Sequence, residues 1–464
     1  MATVSPSPLL PVANRRGAAV HAELRAIHDG GPQVGWFRLE GGKHRGAIGT
    51  AEGETILRLV TTAMDAGVPI VGVISSSGAD VQEGVASLHA WGHVARALAM
   101  ASGTVPIALA VIGPCVSGPA LLLGLADIVV LTDEAFAYVS GPDAVLRFTG
   151  RALTHQLLGG PGVHAKHTGV AALTAVDEDD AVAAIADVLA YLPQNNLGHP
   201  PVDDSGDRAD RLCRTGASIV PDSPTASYDV REVIADIADA ETFLELRAGY
   251  APNLVTGLAR IAGMPVGVVA NQPSQLAGTL DIEASQKGAR FVQWCDSFNV
   301  PIVTLVDTPG FQPGKDIEWR GMIRHGAQLV HAYAEATVPR LCVILRKAYG
   351  GAYIVMDSKT LGNDLAVAWP LAEIAVMGAN GAVQILHGRR IDAIDDDHAK
   401  AAERERLAAD YAAEYLSPAK AAERGFIDDV IDPASTRLVL AQALVALAEK
   451  RDHHPKRRHS NTPL

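Results

Sequence analysis

The residues best placed to do chemistry are small-residue turns, two in each half of the chain. Ser76-Ser77-Gly78 and Ser117-Gly118 lie in the first half, Thr308-Pro309-Gly310 and Gly350-Gly351-Ala352 in the second. Each follows an apolar run of strand length. Glycine at such a turn lets the backbone approach a ligand closely. The first N–H groups of a helix that opens there have no acceptor inside the helix and point outward. Two such donors aimed at one point stabilise negative charge developing on an oxygen. The predicted chemistry is therefore oxyanion stabilisation by backbone, once at Ser117-Gly118 and once at Gly351-Ala352. One such turn alone would equally serve tight helix–strand packing. Two at matching places of a repeat favour function.

No other constellation competes. The chain has no GxGxxG after a strand, no GxxxxGK[ST] and no HExxH. Its four cysteines, Cys115, Cys213, Cys295 and Cys342, are far apart and form no CxxC pair. They read as buried reduced thiols rather than a disulfide framework or a zinc site. His325 and His331 share a predicted helix but are not at ligand spacing. The acidic runs Glu178-Asp179-Asp180 and Asp395-Asp396-Asp397 read as solvated loops, so no metal site is expected. With no obvious protein base, a substrate or cofactor is expected to supply it.

The elements that position these turns repeat. Val68-Pro-Ile-Val and Val105-Pro-Ile-Ala in the first half answer Val300-Pro-Ile-Val and Val338-Pro-Arg-Leu in the second, at offsets of 232 or 233 residues. Pro is tolerated at a strand start, and continuous apolar runs predict strands buried on both faces. Between them, Val85, Leu88, Trp91, Val94 and Leu98 follow helical spacing and predict one apolar face. Phe291, Val292, Cys295 and Phe298 predict another, behind Asp281 as the cap. Strand, helix, strand implies parallel pairing through crossover helices, hence an α/β protein built from a duplicated domain. The expected boundaries are 1–196 for the first domain, 197–227 for a linker rich in Pro, Gly, Asp and Ser, and 228–464 for the second. The segment Asp392 to Leu416 reads as a long solvated helix. The basic tail from Lys450 reads as disordered.

Bulk properties narrow the class. The chain has 464 residues, of which 48% are hydrophobic and 20% charged, enough for large cores and against wholesale disorder. Lys+Arg total 39 against Asp+Glu 52, a net −13, which argues against broad nucleic-acid binding. No apolar run reaches the roughly 18 residues of a membrane span. Met1 to Gly17 lacks the basic-then-apolar pattern of a signal peptide and reads as a floppy lead-in. A cytoplasmic protein is expected.

The second half resembles the carboxyltransferase (beta) subunit of biotin-dependent acyl-CoA carboxylases. The similarity lies in Arg346-Lys-Ala-Tyr-Gly-Gly-Ala-Tyr-Ile-Val-Met, Ala368-Trp-Pro, Ala375-Val-Met-Gly-Ala-Asn-Gly, Ala270-Asn-Gln-Pro, Leu305-Val-Asp-Thr-Pro-Gly-Phe and Ile323-Arg-His-Gly-Ala. The first half is looser but in register, through Gln82-Glu-Gly, Gly113-Pro-Cys, Gly141-Pro-Asp, Leu158-Gly-Gly and His164. The resemblance implies two crotonase-like domains of the ClpP/crotonase superfamily, each a β-β-α spiral. It implies transfer of a carboxyl group from carboxybiotin to the α-carbon of an acyl-CoA. The acyl-CoA lies mainly on the first domain and biotin on the second, in a hexamer whose sites combine domains of different subunits. By position, Ser117 and Gly118 serve the thioester, and Gly351 and Ala352 the biotin ureido oxygen. Gly78, Tyr349, Gly350 and Ile354 fall at substrate-binding positions. The family position of Ile354 is often Asp in propionyl-CoA enzymes and often Ile in acetyl-CoA enzymes. No Met-Lys-Met biotinylation motif occurs, so the biotin carboxylase and carrier partners are expected on separate chains. Ser117-Gly118 stands where the family usually has Gly-Gly, and Asp80 where it usually has Arg. These departures keep two alternatives open: a catalytically weak structural partner in a mixed hexamer, and a serine hydrolase with Ser117 as nucleophile.

Overall fold

The Val-Pro runs open strands, as their composition predicts, and the strands order into one sheet per half. The computed structural model describes residues 18–464 except 43, 204, 215, 224, 451 and 453, and without the side chains of 216 and 217. The expected N-terminal lead-in lies outside the described residues. The chain divides into two compact units, the first essentially up to Pro201 and the second from Val202 onward, with short exchanges at 247–250 and 297–299.

In the first unit, β1 (Val20–Ala26) and β2 (Gln33–Leu39) form an antiparallel hairpin. Helix α1 (Thr50–Ala66) then crosses to β3 (Ile70–Ser76), and α2 (Val85–Ala101) crosses to β4 (Ile107–Val116). β5 (Ile128–Thr132), β6 (Phe136–Tyr138) and β7 (Leu173–Ala175) complete a sheet of order β1-β2-β3-β4-β5-β7, with β6 beside β4. From β2 onward the pairing is parallel. Ile70, Val71 and Leu109 are fully buried, as strands covered on both faces require.

The second unit repeats the plan. β8 (Leu244–Leu246), β9 (Leu254–Ile261) and β10 (Met264–Asn271) are antiparallel. α3 (Ile282–Ser297) crosses to β11 (Ile302–Thr308), and α4 (Met322–Glu335) to β12 (Arg340–Tyr349). After α5 (Gly350–Val355) come β13 (Leu365–Ala368), β14 (Glu373–Ala375), the helix α6 (Asp397–Tyr411) and β15 (Asp429–Val430). The sheet order is β15-β13-β12-β11-β10-β9-β8, with β14 beside β12. Among the described residues the first sheet has seven strands and the second eight, the strand without a counterpart being β8. The Asp281 carboxylate caps α3 through Ala284 N–H at 2.8 Å, and Phe291, Val292, Cys295 and Phe298 are buried as predicted. Cys213 and Val220, within 197–227, pack into this unit's core.

One predicted helix face is displaced. In α2, Val94 and Leu98 are buried but Val85 and Leu88 are exposed. The face turned inward is lined instead by Ser87, Ala90, Val94, Ala97 and Ala101. A Cβ added to Gly53 of α1 would stand 2.8 Å from the Ala90 Cβ, so small residues let the two helices approach closely. The four cysteines are free and buried, and burial pushes the Cys115 thiol up to about 12. Among the described residues no helix is long and apolar enough to cross a membrane.

Candidate active site

Both turns arise where the central parallel pair of each sheet loses its regular register. The β3–β4 pairing shifts between Ile74 and Ser76, and the β11–β12 pairing between Val306 and Thr308. The same irregularity thus sits at equivalent positions, and in each unit one strand then ends at a helical turn.

In the first unit β4 ends at Val116 and a 3-10 turn begins at Gly118. Ser117 between them has φ 66°, a left-handed conformation unusual for a residue with a side chain. Its N–H donates to Tyr138 O at 2.9 Å, continuing the β4–β6 ladder. The Ser117 N–H is therefore spent, contrary to the sequence expectation that both N–H groups of Ser117-Gly118 face a ligand. Pro119 has no N–H, and Ala120 N–H donates to Ser117 O at 3.1 Å. Gly118, first in its helical turn, has no acceptor inside the helix. A Cβ on Gly118 would come 2.9 Å from Trp91 Cζ2, so this position admits only glycine without displacing the indole. Gly78 closes on the same place: a Cβ there would lie 3.1 Å from Ser117 Cβ. The fold thus brings Gly78, Ser117 and Gly118 together.

Asp80 acquires a role that its sequence neighbourhood does not announce. Its carboxylate caps the turn after it by accepting from Gln82 N–H at 2.9 Å and holds His44 Nδ1 at 2.5 Å. Burial works against its ionised form, but the Gln82 N–H and the imidazole hold the carboxyl below its ordinary value. His164 bonds Ala137 O and the Thr168 hydroxyl, and His155 bonds the Tyr138 hydroxyl.

In the second unit β12 ends at Tyr349 and α5 begins directly. Gly350 has φ 60°, and a Cβ there would lie 3.1 Å from Val376 O. The N–H groups of Gly351 and Ala352, in the first turn of α5, have no acceptor inside the helix. Ala352 is fully buried, whereas Ile354 is 38% exposed. The Tyr349 hydroxyl donates to the Glu373 carboxylate, and its ring lies against Gly378, so Tyr349 braces the turn from behind. Burial first, then Glu373, pushes its phenol well above the usual range.

The strand end is held rigid by charges that sequence reading did not single out. Asp307 accepts from Arg346 Nε at 3.0 Å and from Lys347 N–H at 3.1 Å. Arg346 also donates to Ser223 O and Ala226 O at 2.8 and 2.9 Å. Both members of the Asp307–Arg346 pair are buried, so each depends on the other for its solvation. Asp307 and Arg346 stand inside two of the quoted motifs, which was the available signal.

Gly350, Gly351, Tyr353 and Ile354 form one wall of an open cleft of about 560 Å³. Tyr411, Tyr415, Arg424 and Phe426 also line it. The aromatic pair, with ring centroids 4.8 Å apart, was missed because the charged composition of 392–416 reads as solvated. Two tyrosines four residues apart, hence on one helical face, were the signal. The lining is largely apolar and aromatic, with Thr360 and the Arg424 guanidinium among its polar members.

Residues 31–462 match the carboxyl transferase domain family. The chain belongs to this family. It is 46% identical over 429 residues to the propionyl-CoA carboxylase beta chain of Saccharopolyspora erythraea, covering 90% of this chain and 79% of that one. It is 43% identical to the biotin-dependent acetyl-/propionyl-coenzyme A carboxylase beta5 subunit of Mycobacterium leprae, covering 90% and 78%. It is 41% identical to the methylmalonyl-CoA decarboxylase subunit alpha of Veillonella parvula, covering 92% and 81%. The 12S transcarboxylase, solved as a hexamer with methylmalonyl-coenzyme A bound, superposes with a TM-score of 0.93 at 38% identity, covering 99% of this chain and 90% of that one. The duplicated α/β architecture of this carboxyl transferase is therefore the crotonase-like carboxyltransferase fold predicted from its repeat and motifs.

Proposed function

We propose that this carboxyl transferase is the carboxyltransferase subunit of an acyl-CoA carboxylase. It moves a carboxyl group to the α-carbon of acetyl-CoA or propionyl-CoA, giving malonyl-CoA or methylmalonyl-CoA. The observation that carries this reading is the Gly350-Gly351-Ala352 turn, whose two glycines line an apolar cleft and whose first N–H groups have no acceptor inside the helix, in a chain with carboxylase relatives. Carboxybiotin, brought on a separate carrier chain, supplies the carboxyl group and, once discharged, the nitrogen base that takes the α-proton. Gly351 and Ala352 N–H hold the ureido oxygen, while Tyr349 and Gly350 set the turn and Ile354 shapes the wall. In the first unit Gly118 N–H holds the thioester oxygen, and Gly78 and Ser117 set the backbone that presents it. Backbone donors fixed before the reaction stabilise charge without reorganising, which is why no titrating side chain is needed at either place.

The assignment of 1–196 to acyl-CoA, 197–227 to linkage and 228–464 to biotin belongs to the same proposal. So do a homohexamer or mixed hexamer, a biotin carboxylase partner and a cytoplasmic setting. A second reading, a structural partner that completes a mixed hexamer, draws support from the spent Ser117 N–H and from Asp80. A serine hydrolase draws none, since among the described residues no histidine is hydrogen-bonded to the Ser117 hydroxyl: His44 holds Asp80, His155 the Tyr138 hydroxyl and His164 Ala137 O. Purified protein with malonyl-CoA or methylmalonyl-CoA and free biotin separates the three. Decarboxylation supports the transferase, silence the structural partner, and biotin-independent thioester hydrolysis the hydrolase.

A further inference from the structure

We propose that the Trp91 indole N–H is a second hydrogen-bond donor of the acyl-CoA site, directed at the thioester oxygen beside Gly118. This rests on the transferase reading above. The first turn supplies one free backbone donor, because the Ser117 N–H is bonded to Tyr138 O, Pro119 has none and the Ala120 N–H is bonded to Ser117 O. Oxyanion sites work by convergence of donors, and a single N–H leaves such a site weak. Trp91, on α2, lays the nitrogen-bearing edge of its indole against this same glycine. Its Cζ2, Cε2 and Nε1 atoms stand 2.9, 3.0 and 3.2 Å from the place a Gly118 Cβ would occupy.

Trp91 Nε1 is shielded from solvent and has no hydrogen-bond partner. An indole nitrogen is a donor only, so it cannot be satisfied except by an acceptor. Buried polar groups are paired in the great majority of cases, and an unpaired one costs stability. An orphaned donor beside a turn with one free donor is explained if both meet a ligand oxygen. The enolate oxygen formed as the α-carbon loses its proton or its carboxyl group is an acceptor of that kind. Packing against Gly118 needs the shape of the ring but not a donor, so packing alone leaves the nitrogen unexplained.

The test uses the full chain with methylmalonyl-CoA and free biotin. Trp91→Phe removes the donor. Replacing Trp91 by benzothienylalanine, which exchanges the N–H for sulfur at nearly constant shape, serves where the first variant folds poorly. The expected result is a kcat for decarboxylation lower by about 10²-fold, the usual cost of one oxyanion donor. Binding of S-propyl-coenzyme A, a thioether with a methylene in place of the carbonyl, should stay within about twofold of wild type by calorimetry. A kcat within about threefold of wild type in a folded variant overturns the proposal. So does a parallel loss of thioether binding, because Trp91 would then only shape the wall. A wild-type chain that neither binds the thioether nor decarboxylates overturns the transferase reading itself, and this inference with it.

Discussion

Gly350 and Gly351 are neighbours, but only the first is glycine for a backbone reason. Gly350 is left-handed at φ 60° and close to Val376 O, so any side chain there is strained. Gly351 is not left-handed, and its Cβ would meet the Phe311 ring at an ordinary 3.5 Å. Gly351→Ala should therefore keep its N–H and near wild-type turnover, while Gly351→Pro deletes the N–H and should lower kcat by about 10²-fold. Circular dichroism confirms folding, and a folded proline variant with wild-type turnover would remove Gly351 from the site. Ile354, half-exposed on the cleft wall, is expected to read the acyl group. Because an apolar pocket separates substrates differing by one methylene by only about 10–200-fold, wild type should accept acetyl-CoA alongside propionyl-CoA. Ile354→Asp should change the ratio of their kcat/KM values. An acetyl-CoA value below about one hundredth of the propionyl-CoA value in wild type, or an unchanged ratio in the variant, would refute this. The glycines were legible because their type follows from local backbone demands. The engagement of the Ser117 N–H was not, because its acceptor is 21 positions away at Tyr138.

At the scale of elements, the connection from α5 to β13 carries a buried charge. Asp357 is fully buried and left-handed, at φ 57°, and accepts from Arg340 Nη1 at 2.7 Å. Burial pushes its carboxyl up to about 6, which Arg340 only partly offsets. The folded chain then holds this proton more tightly than the unfolded chain, whose carboxyl titrates near 4. This group's contribution to stability is consequently greatest below about pH 4 and falls as pH rises to about 6. Asp357→Asn removes that term. The stability of the variant relative to wild type, from denaturant unfolding, should rise between pH 4 and 6 by up to about 1.4 kcal/mol per pH unit. A flat difference would show that Asp357 titrates normally. The strands were readable from the Val-Pro runs because their burial on both faces leaves a continuous apolar signature. The inward face of α2 was only half legible: Val94 and Leu98 are buried as their spacing predicts, but the first turns face inward through Ser87 and Ala90, the latter packed against Gly53, while larger Val85 and Leu88 face outward.

The whole molecule is a duplication that retains even its defects of register, at Ile74–Ser76 and Val306–Thr308. Each unit carries one backbone turn, and the function proposed above requires the ligands of both to meet. With a hexamer as the proposed assembly, specific activity should fall on dilution in step with dissociation followed by sedimentation. An active species sedimenting as a monomer would refute it. The sequence by itself determined the repeat, the parallel α/β plan, the two glycine turns and the family, because each is written in local patterns of apolar runs and small residues. Only the tertiary structure decided which N–H groups are free, what Asp80 and Asp307 hold, and that Tyr411 and Tyr415 line the cleft at Gly351. Those facts depend on partners distant in the chain, and a hydrogen bond or a buried charge is defined by its partner.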